Sequence, residues 1–158
     1  MAKLFWAVLL FIAVCGVAFY GHMQTVRPSF ETTIISFQRQ KGGTVPFNVE
    51  LARTPWQLSY GLMFMHDMPP DEGMLFILPE EETASFWMKN TYIPLDLLFI
   101  RQNGVISGIA QGKPHDLTPI ESQEKVRYVL EINAGRAVEL GLAVGDRLSF
   151  KENSAFPL

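Results

Sequence analysis

Residues 95–110 read LDLLFIRQNGVISGIA, and their reading decides the fold. Two apolar runs, 95–100 and 105–110, flank Gln102-Asn103-Gly104. An Asn-Gly pair between apolar runs is the strongest short hairpin signal, because both residues accept the left-handed backbone of tight turns. The first run carries one acid. Asp96 alternates with Leu98 and Ile100, while Leu95, Leu97 and Phe99 take the other face. Side chains of a strand point alternately to its two sides. Both faces of this strand are therefore predicted to be buried, with Asp96 pointing into an apolar setting. A carboxylate so placed needs donors or a cation, or its proton affinity rises.

Just upstream, Ser85 to Pro94 reads SFWMKNTYIP. Lys89, Asn90 and Thr91 supply donors five to seven residues before Asp96. A chain that turns at 90–94, stiffened by Pro94, is expected to bring Asp96 back towards Lys89. The functional reading is a polar ligand pocket of Trp87, Lys89, Asn90, Thr91 and Asp96, with Met88 and Tyr92 in its walls. Lys89 would attract an anionic or polar group, Asn90 would donate to it, and Asp96 would act as acceptor or general base. Asp96 and Lys89 are the catalytic candidates. The competing reading is a turn at Asn90 and Thr91 whose backbone N–H groups Asp96 caps. Thr83 and Ser85 are nearby hydroxyls, but no His follows closely in the chain, so a serine triad is weakly supported.

Working outward, TVPFNVELA (44–52) alternates, with Phe47, Val49 and Leu51 on one face and Asn48 and Glu50 on the other. That pattern predicts a half-buried strand. Thr54 is placed to cap a short helix, with Pro55 at its first position and Gly61 at its end. MLFIL (74–78) reads as a buried strand stopped by Pro79, and TASFWM (83–88) as another. GKPHDLTPIES (112–122) reads as an irregular loop. VRYVLEI (126–132) alternates, with Val126, Tyr128, Leu130 and Ile132 on one side. Asn133 is placed to cap a second helix closed by Gly141. A last strand, VGDRLSF, follows a Gly-Asp turn. The fold class is mainly β: about eight short strands in a jelly-roll-like sandwich or small barrel, with two short helices at its ends.

The chain has 158 residues, enough for one domain with a core of its own. Residues 4–20 carry no charge and follow Lys3. They are read as an export signal, cleavable after Ala18, or as a membrane anchor. Lys3 favours a cytoplasmic start and an exported remainder, on the periplasmic or extracytoplasmic face of the cytoplasmic membrane. The division is 1–22 signal or anchor, 23–43 connector containing the strand-like TTIISF, 44–150 β-domain and 151–158 tail. Cys15, the only cysteine, lies in the apolar run. The exported part thus has no thiol for a disulfide, a nucleophile or a metal. Setting Lys3 aside leaves 12 basic against 16 acidic residues, a formal −4, with the basic ones scattered. That balance argues against nucleic acid as a partner. No cofactor is expected; the ligand stays unknown.

The phrases GLMFMHDMPPDEGMLF, FWMKNTYIPLDLLFI, GKPHDLTPIES, RYVLEINAG and GLAVGDRL stand in this order. With them the chain resembles the domain-of-unknown-function family 192 of exported bacterial and archaeal proteins, over about 44–150. The resemblance implies a mostly β, jelly-roll-like or barrel-like fold and no particular activity. Family members commonly carry Arg after GLMF; here Met65 stands there, followed by His66.

Further constellations compete with the pocket. Met63, Met65, His66, Met68 and Met74 fall within twelve residues. Thioethers and imidazole suit Cu(I), and Met65, His66 and Met68, which lie in loop-like sequence, are the candidates. Met63 and Met74 read as adaptable core fillers. His66-Asp67 and His115-Asp116 would bind a divalent ion only if their loops met. Asp146 reads as part of a tight turn. Trp56, Tyr60 and Trp87 offer an aromatic face for a sugar, or ordinary packing, the first two sharing a helix face. The leading expectation is a binding or accessory module of the cell envelope. The alternatives are an envelope enzyme using Asp96 and Lys89, and a Cu(I)-binding protein.

Overall fold

The structure, a computed structural model, describes residues 26–150. Seven strands make one sheet: β1 (Glu31–Gln38), β2 (Thr44–Ala52), β3 (Glu72–Phe86), β4 (Leu95–Ile100), β5 (Ile106–Gly112), β6 (Ile120–Asn133) and β7 (Arg147–Phe150). Two short helices, α1 (Pro55–Tyr60) and α2 (Arg136–Glu139), complete the described residues. The strand order is β5-β4-β6-β3-β2-β1-β7, antiparallel except for β2 beside β3. The sheet curls until its edges touch: Val105 bridges Arg147, and the Leu148 N–H donates to the Gly104 carbonyl at 2.8 Å. The result is a curled half-barrel. The mainly β class and the two helices hold, but one sheet stands in place of the sandwich alternative.

Seven strands replace eight for a local reason. The runs 74–78 and 83–88, read apart because of Pro79, fall largely in the single strand β3, which ends at Phe86. Pro lacks the N–H that a ladder needs and is tolerated at bulges. The register of β3 against β6 shifts between Ile77 and Glu82, across that proline. TTIISF, assigned to a connector, lies within β1, which pairs with both β2 and β7. The sheet therefore begins by Glu31.

The predicted hairpin forms β4 and β5. Its loop has three residues, with Gly104 left-handed at φ +82 and Asn103 Oδ1 accepting from the Val105 N–H at 3.1 Å. This is the longer hairpin loop closed by a left-handed glycine, not the two-residue primed turn. Between β2 and β3 the chain crosses over through α1. Thr54 Oγ1 accepts from the Gln57 N–H at 3.3 Å, and Gln57 Oε1 accepts from the Thr54 N–H at 3.0 Å. That reciprocal pair is a capping box. Gly61 closes the helix at φ +51.

Each face of the sheet carries a buried cluster, while β1 and β2 alternate buried with exposed residues. Phe37, Phe47, Leu75, Leu98 and Leu130 belong to the inner cluster. Met74, Phe76, Met88, Leu97 and Val129 belong to the outer one, which Leu58 of α1 and Leu62 just after it help to cover. Burying each such side chain contributes about 1.5–3 kcal/mol, enough together to tolerate a few buried polar groups. All six residues of β4 are buried, as its alternation requires. Among the described residues no helix is long and apolar enough to cross a membrane. The apolar run 4–20 and the tail 151–158 lie outside the described residues.

Candidate functional site

The turn around 87–92 is where three loops meet, and its backbone is strained. Among the described residues, the non-glycine residues with positive φ are Phe64 (+63), Asn90 (+55) and His115 (+62). Each lies in a different one of these loops. The Phe64 N–H donates to the Asn90 carbonyl at 2.7 Å, and the His115 N–H donates to the Thr91 carbonyl at 3.2 Å. The Met88 N–H donates to the Asp116 carbonyl at 2.9 Å. Left-handed backbone costs about 1–2 kcal/mol for a residue with a Cβ. Such conformations persist where the surroundings over-determine them, and they cluster at functional sites.

Asp96 does not share this place. Strand alternation turns it to the inner face, where it is 1 % exposed. Its Oδ2 accepts from the Ala137 N–H and its Oδ1 from the Gln111 side-chain amide, both at 3.0 Å. It thus caps a helix, but the helix is α2, whose N-cap residue Gly135 offers no side chain. Asn133, expected in that role, donates instead to the Met68 carbonyl at 2.8 Å. Lys89 is exposed, with Nζ 5.0 Å from the centre of the Trp87 ring. The expected approach of Asp96 to Lys89 is replaced by these separate sets of partners. Asn90 stands in the strained turn with Nδ2 near Met63 Sδ. Thr91, 5 % exposed, has Oγ1 3.4 Å from the Lys89 carbonyl.

What Trp87, Lys89 and Thr91 do share is a cleft with a different acid. Its floor holds Glu131 and Phe76, and the 58–63 segment forms the facing wall with Tyr60 and Met63. The space inside is about 30 Å3, room for one or two water-sized groups. Gly61 is needed in that wall, since a Cβ there would stand 3.1 Å from the Phe76 ring. Glu131 is 4 % exposed and sits between Leu97 and Met74 on the outer face of the sheet. Among the described residues no group donates a hydrogen bond to its carboxyl. Burial alone pushes that carboxyl up to about 8, so it holds its proton at neutral pH. A buried carboxyl without partners in a cleft is a functional-site candidate on physical grounds.

Glu131 carries a signal in the sequence. In VRYVLEI, Val126, Tyr128, Leu130 and Ile132 take one face, and Arg127, Val129 and Glu131 take the other. β6 is central, flanked by β3 and β4, so its other face is buried as well. Like Asp96 in LDLLFI, Glu131 in YVLEI is an acid on a strand buried on both sides.

The other constellations are partly gathered. The two His-Asp loops do meet, through Tyr92: the His66 ring stacks on it at 4.1 Å and the His115 ring meets it at 4.6 Å and 88°. Asp116 is engaged with its own loop, Oδ1 accepting from the Thr118 N–H at 2.9 Å, a bond that holds its carboxyl below the ordinary range. Among the described residues no group of three or more His, Cys, Asp or Glu is placed to hold a metal. Of the thioether set, Met68 is buried in the outer cluster and Met65 packs against it, while His66 stacks on Tyr92. Asp146 accepts from the Gln40 and Ala143 N–H groups at 2.9 Å, as a turn residue would. Trp56 and Tyr60 share a face, with ring centres 5.7 Å apart, and Tyr60 meets Phe64 at 6.0 Å.

The family DUF192, described as "Uncharacterized ACR", matches residues 37–150. A solved structure from Sinorhizobium meliloti 1021, named as a candidate transcription regulator, is 43 % identical with a TM-score of 0.77, over 79 % of this chain and 98 % of its own. A protein of unknown function from Novosphingobium aromaticivorans DSM 12444 is 32 % identical with a TM-score of 0.73, over 81 % of this chain and 96 % of its own. No curated protein matches the chain.

Proposed function

The chain belongs to the uncharacterised family DUF192, and from that premise we propose that it is a binding module of the cell envelope whose site is the Glu131 cleft. One observation carries the reading: Glu131 is buried, has no hydrogen-bond partner among the described residues, and lines an open cleft with Trp87, Lys89 and Thr91. An unpaired buried carboxyl is costly, and a ligand that satisfies it recovers part of that cost. The strained turn beside the cleft supports the same place. The location outside the cytoplasmic membrane is inferred from the uncharged run 4–20 behind Lys3.

Binding fits better than the envelope-enzyme reading. Asp96 is sealed and engaged, and the cleft lining holds a single carboxyl, so paired acid and base chemistry has no second member there. A role on nucleic acid, which the Sinorhizobium relative's name suggests, runs against the acidic net charge of −3.

The test is retention of a compound. The full chain in detergent is incubated with cell extract, washed and denatured, and the released small molecules are compared by mass spectrometry with those from Glu131→Leu. A compound held by the wild type and lost in the variant supports the reading; equal retention by both sinks it. Protease digestion of intact and permeabilised cells tests the location. A domain cut only after the cytoplasmic membrane is breached would refute export.

A further inference from the structure

We infer that the aromatic rim around the three meeting loops is a membrane-contact face, resting in the headgroup layer of the bilayer from which the chain emerges. The inference goes beyond ligand binding in the cleft. It rests on the envelope location and takes residues 4–20 as a retained anchor. Among the described residues, every exposed Trp, Phe and Tyr side chain belongs to this rim: Trp56, Phe64, Trp87 and Tyr92. Leu117, also exposed, joins them. Contacts link the set. The Trp56 ring meets Tyr60, which meets Phe64. Phe64 bonds to Asn90, two residues from Tyr92, and Met88, next to Trp87, bonds to Asp116, next to Leu117. Large apolar side chains gathered on mutually bonded loops mark a surface that meets a partner.

The path of the chain selects lipid as that partner. Gln57 Nε2 donates to the Ser29 carbonyl at 2.8 Å, and Phe30 packs on the outer cluster, as do Leu58 and Met65. The chain therefore enters the domain on the α1 side, next to Trp56. Only residues 21–25 separate the uncharged run from Val26. Fully extended, that stretch spans roughly 20 Å. Helix α1 and its aromatic neighbours are thus tethered within reach of the bilayer.

The chemistry of the rim agrees. Trp and Tyr settle at the membrane–water boundary because the ring is apolar and its N–H or O–H is polar. Lys89 and Lys113 are exposed on the same loops, where long side chains reach headgroups. Asp67 and Asp116 balance them, so the face is apolar rather than cationic and zwitterionic lipid suffices. Acids stand at the other end of β4. Glu81 and Glu124 bond to Gln102 and Arg101 just after that strand, whereas Tyr92 precedes it. A sugar platform fits less well, since one face of Trp87 already carries Lys89 Nζ at 5.0 Å and one face of Tyr92 carries the His66 ring at 4.1 Å.

The test reads tryptophan quenching in the full chain, reconstituted into phosphatidylcholine vesicles with ordinary or brominated acyl chains. Three single-tryptophan chains are compared: Trp87 alone (Trp6→Phe with Trp56→Phe), Trp6 alone (Trp56→Phe with Trp87→Phe), and Gln102→Trp with the three native tryptophans changed to Phe. Resting at the headgroup–acyl boundary, Trp87 is expected to lose about half of its emission to bromine, and Gln102→Trp almost none. Phe64→Ser with Leu117→Ser should restore most of the Trp87 emission, and high salt should not. If that double change fails to fold, the contrast between Trp87 and Gln102→Trp still decides. Trp6 quenched with Trp87 unquenched overturns the inference and leaves the anchor standing; both unquenched removes the anchor reading as well. Equal quenching of Trp87 and Gln102→Trp also overturns it, because the domain then has no preferred face. Trp87 emission that responds to soluble chitotriose but not to bromine would make the rim a sugar platform. Dimers in detergent, with Trp87 shielded from bromine, would assign it to a second copy of the chain.

Discussion

The Ala137 N–H donates to Asp96 Oδ2 at 3.0 Å, and that bond fastens helix α2 to strand β4. A strand carboxylate here does what an N-cap side chain normally does. It satisfies one of the orphan donors of a short helix, and it spends its second oxygen on Gln111. Asp96 is therefore a structural residue, and its replacement has a defined cost.

Asp96→Ala should destabilise the fold by about 1–3 kcal/mol, since it leaves the buried Ala137 N–H without an acceptor. Asp96→Asn keeps one acceptor and should cost about 1 kcal/mol. Urea unfolding measures both. Ligand binding at the cleft should survive in whatever fraction remains folded. Unchanged stability in Asp96→Ala would show that the bond to Ala137 contributes nothing.

Glu131 predicts an unusual pH dependence. Its folded-state carboxyl titrates near 8, far above the unfolded value of 4.5. Between those values the folded state holds a proton that the unfolded chain has lost. Stability contributed by this group is thus full below the unfolded value and falls as pH rises towards 8. The loss should be about 3–5 kcal/mol, and Glu131→Gln should remove it. Denaturation at pH 5 and pH 9, wild type against variant, reads the difference. A variant whose stability tracks the wild type across that range contradicts the prediction.

Asn90 holds the strained turn at φ +55. Asn90→Gly should leave stability within about 0.5 kcal/mol, because glycine accepts this backbone freely. Asn90→Val should cost about 2 kcal/mol, because a β-branched side chain opposes it. The same denaturation series checks both, and equal costs would mean that backbone strain is not what selects Asn here.

Thr54 anchors the crossover through its capping box. Thr54→Ala should cost about 1 kcal/mol. Amide exchange within α1 should quicken more than in β4, whose pairing is untouched. Exchange that quickens equally in both would place the effect outside the cap.

Much of the fold was legible in short phrases because their causes are local. The Asn103-Gly104 hairpin, the Thr54–Pro55–Gly61 helix and the doubly buried β4 all follow from turn chemistry, capping and side-chain alternation. Errors arose where a local rule was overridden. Pro79 reads as a stop, yet a bulge lets β3 run past it. Asn133 reads as a cap, yet a residue from β4 takes that role while Asn133 bonds to Met68.

By itself the sequence determined the mainly β class, that LDLLFI is buried on both faces, and that its acid must have partners. Tertiary structure alone decided who those partners are. It brought α2 to Asp96 and left Glu131, among the described residues, without a donor in a cleft also lined by Lys89 and Trp87. The physical reason is that alternation specifies only the side of a strand on which a residue falls. What waits on that side depends on strand order, and placing β6 between β4 and β3 is a long-range choice that no single phrase contains.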